Sequence, residues 1–280
     1  MIKTMRKLLD LLKFIRIFNC LLTVLIVVFS CTISGCSDPV KILLASIIFF
    51  SGTAFANVSN DVRDFKIDLV AHPERPLVSG RISHREAFIL MMVLLGLIFI
   101  PAIILGPRVL IFTVILFLLT AMYNQFLKKF HVFGNIAVAL ISSATFFIGG
   151  VITGNFYPLI FPFTLSFLYQ LYREILKDIH DMEGDLLGGY RTLPLIIGKK
   201  ISIILSHFLL GSLIILTLVP YWLGIYGKVY LYITVFLVDI PLLMIGMRIN
   251  ERLDNKRLKR YLDLIKIPIF FVLLAIYMGG

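Results

Sequence analysis

Asp61, Asp64 and Asp68 stand in the pattern D-x-x-D-x-x-x-D, and Asp178, Asp181 and Asp185 repeat it 117 residues later. On a helix, positions i, i+3 and i+7 lie within roughly 60° of one another, so each trio is expected to form one acidic stripe. Three carboxylates held that close repel strongly. A chain with just 16 acidic residues does not place the same array at two helix ends merely to be soluble. Hard oxygen donors in such numbers suit Mg2+, which takes one or two carboxylates per ion and fills its shell with water and phosphate oxygens. Two facing stripes would hold two ions with a diphosphate between them. Asn60 and Lys177 occupy matching places beside the stripes, and Arg63, Arg75 and Arg191 lie in the adjoining segments. Arg75, in "ERPLVSGRIS" (74–83), and Arg191, in "YRTLPLIIGKKIS" (190–202), match across the two copies. Metals and guanidinium groups together neutralise a leaving diphosphate.

The elements that must position these groups are membrane helices. Of 280 residues 59% are hydrophobic and 15% charged, with a mean hydropathy of +0.98, which excludes a soluble domain. A span needs roughly 20 apolar residues. Nine candidates follow, at about 18–34, 40–60, 84–105, 109–125, 135–154, 157–176, 200–221, 229–247 and 264–278. They are too long and too uniformly apolar for barrel strands, so the expected fold class is an all-α polytopic membrane protein around a central cavity. One acidic trio follows the second span and the other the sixth. The chain is therefore expected to be a single domain, 1–280, with a parallel four-helix repeat whose halves run about 18–130 and 135–248, followed by a last helix at about 264–278.

Assigning the amino terminus and alternate loops to one side puts 24 of the 27 Lys and Arg there, leaving Lys41, Arg108 and Lys228 opposite. The crowded side, with both acidic trios, is expected to be cytoplasmic. The net charge of +11 then suits anionic headgroups or a phosphorylated substrate, and nothing resembles a nucleic-acid module. "ISGC", ending at Cys36, resembles a lipoprotein cleavage site, but cutting there would remove the first of nine similar spans. Cys20, Cys31 and Cys36 lack metal-site spacing and are expected to pack as small residues, with pairing of Cys31 and Cys36 left open.

These residues resemble the UbiA family of intramembrane prenyltransferases, and the likeness covers essentially the whole chain. The family's N-D-x-x-D-x-x-x-D stands as Asn60, Asp61, Asp64 and Asp68, and its second D-x-x-D-x-x-x-D, after Y-R-E, as Asp178, Asp181 and Asp185. "ERP…SGR" stands at 74–81, and the family's Y…K after span four as Tyr123 and Lys128. The resemblance implies nine helices and a Mg2+-dependent reaction in which a polyprenyl diphosphate loses diphosphate to an acceptor. In it Asn60, Asp64, Asp68, Asp181 and Asp185 hold the ions, Asp61 and Asp178 ligate or support them, and Lys128 and Arg75 bind phosphate oxygens. "RIFNC", giving Arg16, Asn19 and Cys20 at the start of span one, resembles the branch that makes archaeal ether lipids. That branch joins a geranylgeranyl group from geranylgeranyl diphosphate to the free hydroxyl of 3-O-geranylgeranylglyceryl phosphate, whose phosphate needs its own cation, expected at Arg16. An aromatic, quinone-type acceptor is the alternative. An ion-coupled transporter is more remote, since its sites lie near the midplane between inverted repeats. A CDP-alcohol phosphotransferase would need a D-x-x-D-G-x-x-A-R signature, which is absent.

Overall fold

The structure is a computed structural model that describes residues 2–127 and 131–279. Among these the chain is helical, with no β-strand. Among the described residues seven helical runs are long and apolar enough to cross a membrane, and a pair at the amino terminus, bent by 60°, passes the same test only when counted as one span. The helix over the sixth expected span is not among the seven, because Arg173, Glu174 and Lys177 intrude on its apolar stretch.

The chain divides into two compact units. Unit 1 comprises residues 1–125 and 144–159. It begins with α1 (Ile2–Phe14) and α2 (Ile17–Ile33), bent 60° apart, and continues with α3 (Pro39–Arg63), α4 (Phe65–Ala71), α5 (His84–Leu105) and α6 (Pro107–Gln125). Asp38 caps α3 by accepting from the backbone of Val40 and Lys41, ahead of Pro39 at the first helical position. Ser83 and Glu86 form a reciprocal capping box that starts α5. In α5 the large side chains of Phe88, Val93, Ile100 and Ile104 point outward, as a lipid-facing surface requires. Because lipid is as apolar as leucine, close packing and polar links must join the helices. Ser30 of α2 supplies one: its hydroxyl donates to the Phe146 carbonyl (2.5 Å) and accepts from the backbone N–H of Gly149 (3.0 Å). Gly149 lies in α8 (Ile148–Thr153), which continues α7 (His131–Ala144) after a tight turn, and a Cβ there would collide with the Ser30 carbonyl. Cys20, Cys31 and Cys36 are buried and unpaired, so they serve as packing residues.

Unit 2 comprises residues 126–143 and 160–280. Its long helix α9 (Ile160–Leu187) packs on α10 (Leu193–Ile197), α11 (Lys199–Trp222) and α14 (Asn255–Leu264) through Leu165, Tyr172, Leu176, Ile179, Leu210 and Leu258. A π turn at Val235–Asp239 joins α12 (Lys228–Thr234) to α13 (Ile240–Gly246), and α15 (Ile267–Gly279) closes the unit. The carboxyl of Asp239 is buried there against the Thr217 hydroxyl at 3.0 Å.

Candidate functional site

The first acidic trio does not ride one unbroken helix. Asp61 is in the last turn of α3, Asp64 sits at the junction (φ −81°, ψ 6°), and Asp68 is in α4. All three are buried, with 4%, 6% and 3% of their surface exposed. Buried charge must be compensated, and two arginines do so. Arg75 donates through Nη1 to Asp61 Oδ1 (3.2 Å) and to Asp68 Oδ2. Arg16 donates through Nη2 to Asp61 Oδ1 (2.6 Å) and through Nη1 to Asn57 Oδ1 (3.1 Å).

Both arginines are held by their backbones. Arg75 belongs to the loop between α4 and α5, which Leu77 and Ile82 nail down by packing against Phe14, Val58 and Ala87. The Ile82 N–H closes that loop on the Pro76 carbonyl at 2.9 Å. Arg16 joins α1 to α2 in the left-handed conformation (φ 55°, ψ 61°), and it is the one non-glycine residue with positive φ among the described residues. Such a conformation costs roughly 1–2 kcal/mol without glycine. Asn57 offsets it from both sides, since its Nδ2 donates to the Ile15 carbonyl at 3.0 Å while its Oδ1 takes the guanidinium. Burial pushes the Asp68 carboxyl up to about 6 although Arg75 lies against it, and the neighbouring charges of Asp61 and Asp64 push in the same direction.

The second trio lies wholly on α9 and is only partly buried. Asn135 of α7 donates to Asp178 Oδ2 at 2.9 Å, and His180 Nδ1 lies 2.6 Å from Asp181 Oδ1. Lys177 turns to Glu174 (3.2 Å), which Arg173 also meets (3.0 Å). Asp185 ends the acidic run near the end of α9, where its carbonyl accepts from the Tyr190 N–H at 2.9 Å.

The remaining expected residues separate. Arg63 is exposed and donates to the Gln125 carbonyl at 3.1 Å. Tyr123 lies in the last turn of α6, beside Asn124, which donates to Ser59 at 3.2 Å. The Asn60 carbonyl caps the helix end by accepting the Asp64 N–H at 2.9 Å. Asn19 lies in the first turn of α2, where no side chain caps the helix. Arg191 is exposed and makes no ion pair among the described residues, so its match to Arg75 is one of sequence position alone. Lys128 lies outside the described residues. Four residues join the trios without having been singled out: Asn57, Asn135, Glu174 and His180. Asn57 stands one turn before Asn60, Glu174 one turn before the second motif and His180 inside it, so position marked three of them; nothing in the sequence marked Asn135.

No three His, Cys, Asp or Glu side chains converge as a ready metal cage among the described residues. The ion pairs supply the reason for the first trio, because Arg16 and Arg75 draw Asp61 and Asp68 toward themselves. Mg2+ needs one or two carboxylates per ion and takes its other ligands from phosphate and water, so the donor type fits without a closed cage.

The sequence profile of the UbiA prenyltransferase family matches residues 20–274. The chain belongs to this family. It is therefore a prenyltransferase of the membrane, with several spans. Its relatives include the digeranylgeranylglyceryl phosphate synthase of Methanocaldococcus jannaschii, 35% identical over 280 residues and covering 99% of this chain and 98% of that one. The enzyme of the same name from Methanothermobacter thermautotrophicus is 32% identical over 271 residues, covering 96% and 95%. A solved digeranylgeranylglyceryl phosphate synthase superposes with a TM-score of 0.74 at 32% identity over 98% of each chain. A UbiA homologue from Archaeoglobus fulgidus, solved with GPP and Mg2+, shares the fold at a TM-score of 0.71 and 20% identity, over 96% of this chain and 99% of that one.

Proposed function

We propose that this prenyltransferase moves a geranylgeranyl group from geranylgeranyl diphosphate to the free hydroxyl of 3-O-geranylgeranylglyceryl phosphate, in the synthesis of archaeal ether lipids. The observation that carries this reading is the full-length likeness to digeranylgeranylglyceryl phosphate synthases in a chain that holds both aspartate trios intact. The finer architecture we propose with it is nine spans with a parallel four-helix repeat, and an amino terminus and acidic motifs on the cytoplasmic side.

Mg2+, most simply two ions, would be held by Asn60, Asp64, Asp68, Asp181 and Asp185, and when bound it neutralises charge on the departing diphosphate. The chain's own groups do the rest. Asp61, gripped by two guanidinium groups, anchors Arg16 and Arg75 rather than standing open as a ligand. Asp178 is held in the same supporting way by Asn135. Arg75 lies between Asp61 and Asp68, where it can turn one donor toward a phosphate oxygen while keeping another on Asp61; Lys128, Arg63, Tyr123 and Arg191 are further candidates for phosphate contact. Of the five donors of the Arg16 guanidinium, two are given to Asn57 and Asp61, which leaves a fork for the acceptor phosphate beside Asn19. The allylic C–O bond breaks as diphosphate leaves with the bonding pair, and the glycerol oxygen forms the new ether bond while its proton passes to the released diphosphate. A water-poor setting protects the allylic cation.

The test uses purified protein in detergent with labelled geranylgeranyl diphosphate, MgCl2 and a panel of acceptors. Diphosphate release and an ether product with the glyceryl phosphate are expected. Turnover with an aromatic acid instead would replace the acceptor, and no release with any acceptor would reject the reading. Asp64→Ala and Asp181→Ala should each remove nearly all turnover, since a lost metal ligand forfeits several kcal/mol of barrier lowering; either variant keeping above about a tenth of the wild-type rate would sink the shared role of the two trios.

A further inference from the structure

We infer that α1 is not part of the first span but an in-plane arm, docked on the anionic headgroup layer of the bilayer and latched to unit 1 from behind. Residues 5–14 make an axis turned 60° from that of α2, so α1 does not run on as a straight continuation of α2. The composition agrees with the turn, because Arg6, Lys7, Asp10 and Lys13 would have to enter hydrocarbon if α1 ran straight on.

The arm has two faces. At 100° per residue, Met5, Leu8, Leu9 and Leu12 fall within an arc of roughly 100°, while Lys7, Asp10, Leu11 and Phe14 gather on the opposite side. The second face is bound to the protein. Lys7 pairs with Glu86 (2.6 Å) and donates to the Arg81 carbonyl (2.9 Å), and Asp10 pairs with Arg81 at 2.7 Å. Phe14 is fully buried among Val58, Leu77, Ile82 and Ala87. Among the described residues most of the first face is uncovered, with Met5, Leu8 and Leu9 exposed by 59%, 56% and 52% and Leu12 partly buried.

Lipid is the occupant that fits. The outward apolar row resumes directly after the bend on α2, at Phe18, Leu21, Leu25 and Val28, which is the surface this span turns to the bilayer. Arg6 and Lys13 stand at the edge of the α1 stripe, placed for anionic headgroups once the leucines enter the upper acyl region. An amphipathic helix with a basic margin, joined to a span by a sharp bend, is the arrangement that lies in a membrane surface. The hinge itself is Arg16, so the arm that rests on the lipid ends at the residue that grips Asp61. This inference stands on the membrane setting and does not depend on which acceptor is used.

The experiment places spin labels at Met5→Cys, Leu8→Cys, Leu9→Cys and Lys13→Cys in full-length protein reconstituted in phosphatidylcholine vesicles containing phosphatidylglycerol. Wild-type protein, whose three cysteines are buried, serves as the blank. Labels at 5, 8 and 9 should be relaxed more by oxygen than by a water-soluble nickel chelate, and the label at 13 should favour the chelate. Chelate access at all four positions would overturn the arm. Shielding from both reagents with spin–spin broadening would also overturn it, because a second copy would then cover the stripe. Should labelling disturb folding, Leu8→Trp in a Trp222→Phe background gives an independent reading. Its fluorescence should be quenched more by lipids brominated near the headgroup than by those brominated near the chain end, and absence of quenching would count against the inference.

Discussion

At the scale of residues, the first motif is an arginine-locked acid cluster. Asp61 serves two guanidinium groups at once, so the two arginines and the aspartate form one unit whose members are not interchangeable. Arg16→Lys keeps the charge and loses the fork. It should raise the apparent KM for the glyceryl phosphate acceptor about tenfold, worth about 1.4 kcal/mol, and leave that for geranylgeranyl diphosphate little changed; steady-state kinetics with each substrate varied would check this. Asp68 gives a pH dependence. Its carboxyl is pushed up to about 6 from an ordinary 3.8, so the folded state holds that proton more tightly than the unfolded chain. Its charge therefore works against the fold above about 6, and that penalty fades as pH falls toward 3.8. A ligand must be deprotonated, so Mg2+ affinity should move the opposite way, weakening as pH drops from about 8 to about 5 with protons released on binding. Calorimetric Mg2+ titrations in two buffers of different ionisation heat would reveal this, and a flat profile would remove Asp68 from the metal shell.

At the scale of elements, the segment that matters most is the loop of residues 74–83. Its apolar residues do positioning work: Leu77 and Ile82 fill the core beside Phe14, and Arg75 is carried onto the acids as a result. Ile82→Ala should cost about 2–5 kcal/mol of stability and lower kcat/KM through misplaced Arg75. Ser83→Ala, which breaks only the capping box of α5, should cost about 1 kcal/mol and leave kinetics near wild type. Unfolding in detergent with parallel kinetics separates the two. The acid trios, Arg75 and Arg16 were legible in the sequence because like charges at fixed spacing in so apolar a chain have few other uses. The break of the first trio at Asp64 was not, since no glycine or proline marks it and the loop that enforces it comes later in the chain. Nor was Asn135 legible, because a lone asparagine in an apolar helix acquires meaning only when packing sets it against Asp178. The flanks of Arg75 and Arg191 match in sequence, yet each loop is pinned by its own core, and among the described residues the first alone brings its arginine to an acid.

At the scale of the whole molecule, the apolar runs announced the membrane helices and the all-α class, including an expected span at 157–176, whereas the helix there runs Ile160–Leu187 and carries Arg173, Glu174 and Lys177, so it is not among the seven apolar runs. Topology can be checked directly. Lys66→Cys and Glu183→Cys, both exposed beside an acidic trio, should react with a membrane-impermeant maleimide from the cytoplasmic side only, and labelling from opposite sides would refute the parallel repeat. The division into two units has a consequence for biosynthesis. Residues 1–125 are not yet a finished unit when they leave the ribosome, since residues 144–159 belong to the same compact body. The Ser30 hydroxyl must wait for Phe146 and Gly149, 116 and 119 residues downstream, before its two partners exist. Translation runs from the amino terminus at about 5–20 residues per second, so α2 spends about 6–24 s in the membrane without the contact that seats it. A gene cut anywhere between these positions would hand the two halves of one unit to different polypeptides, and the amino-terminal fragment would remain a substrate for membrane quality control until its missing helix arrived.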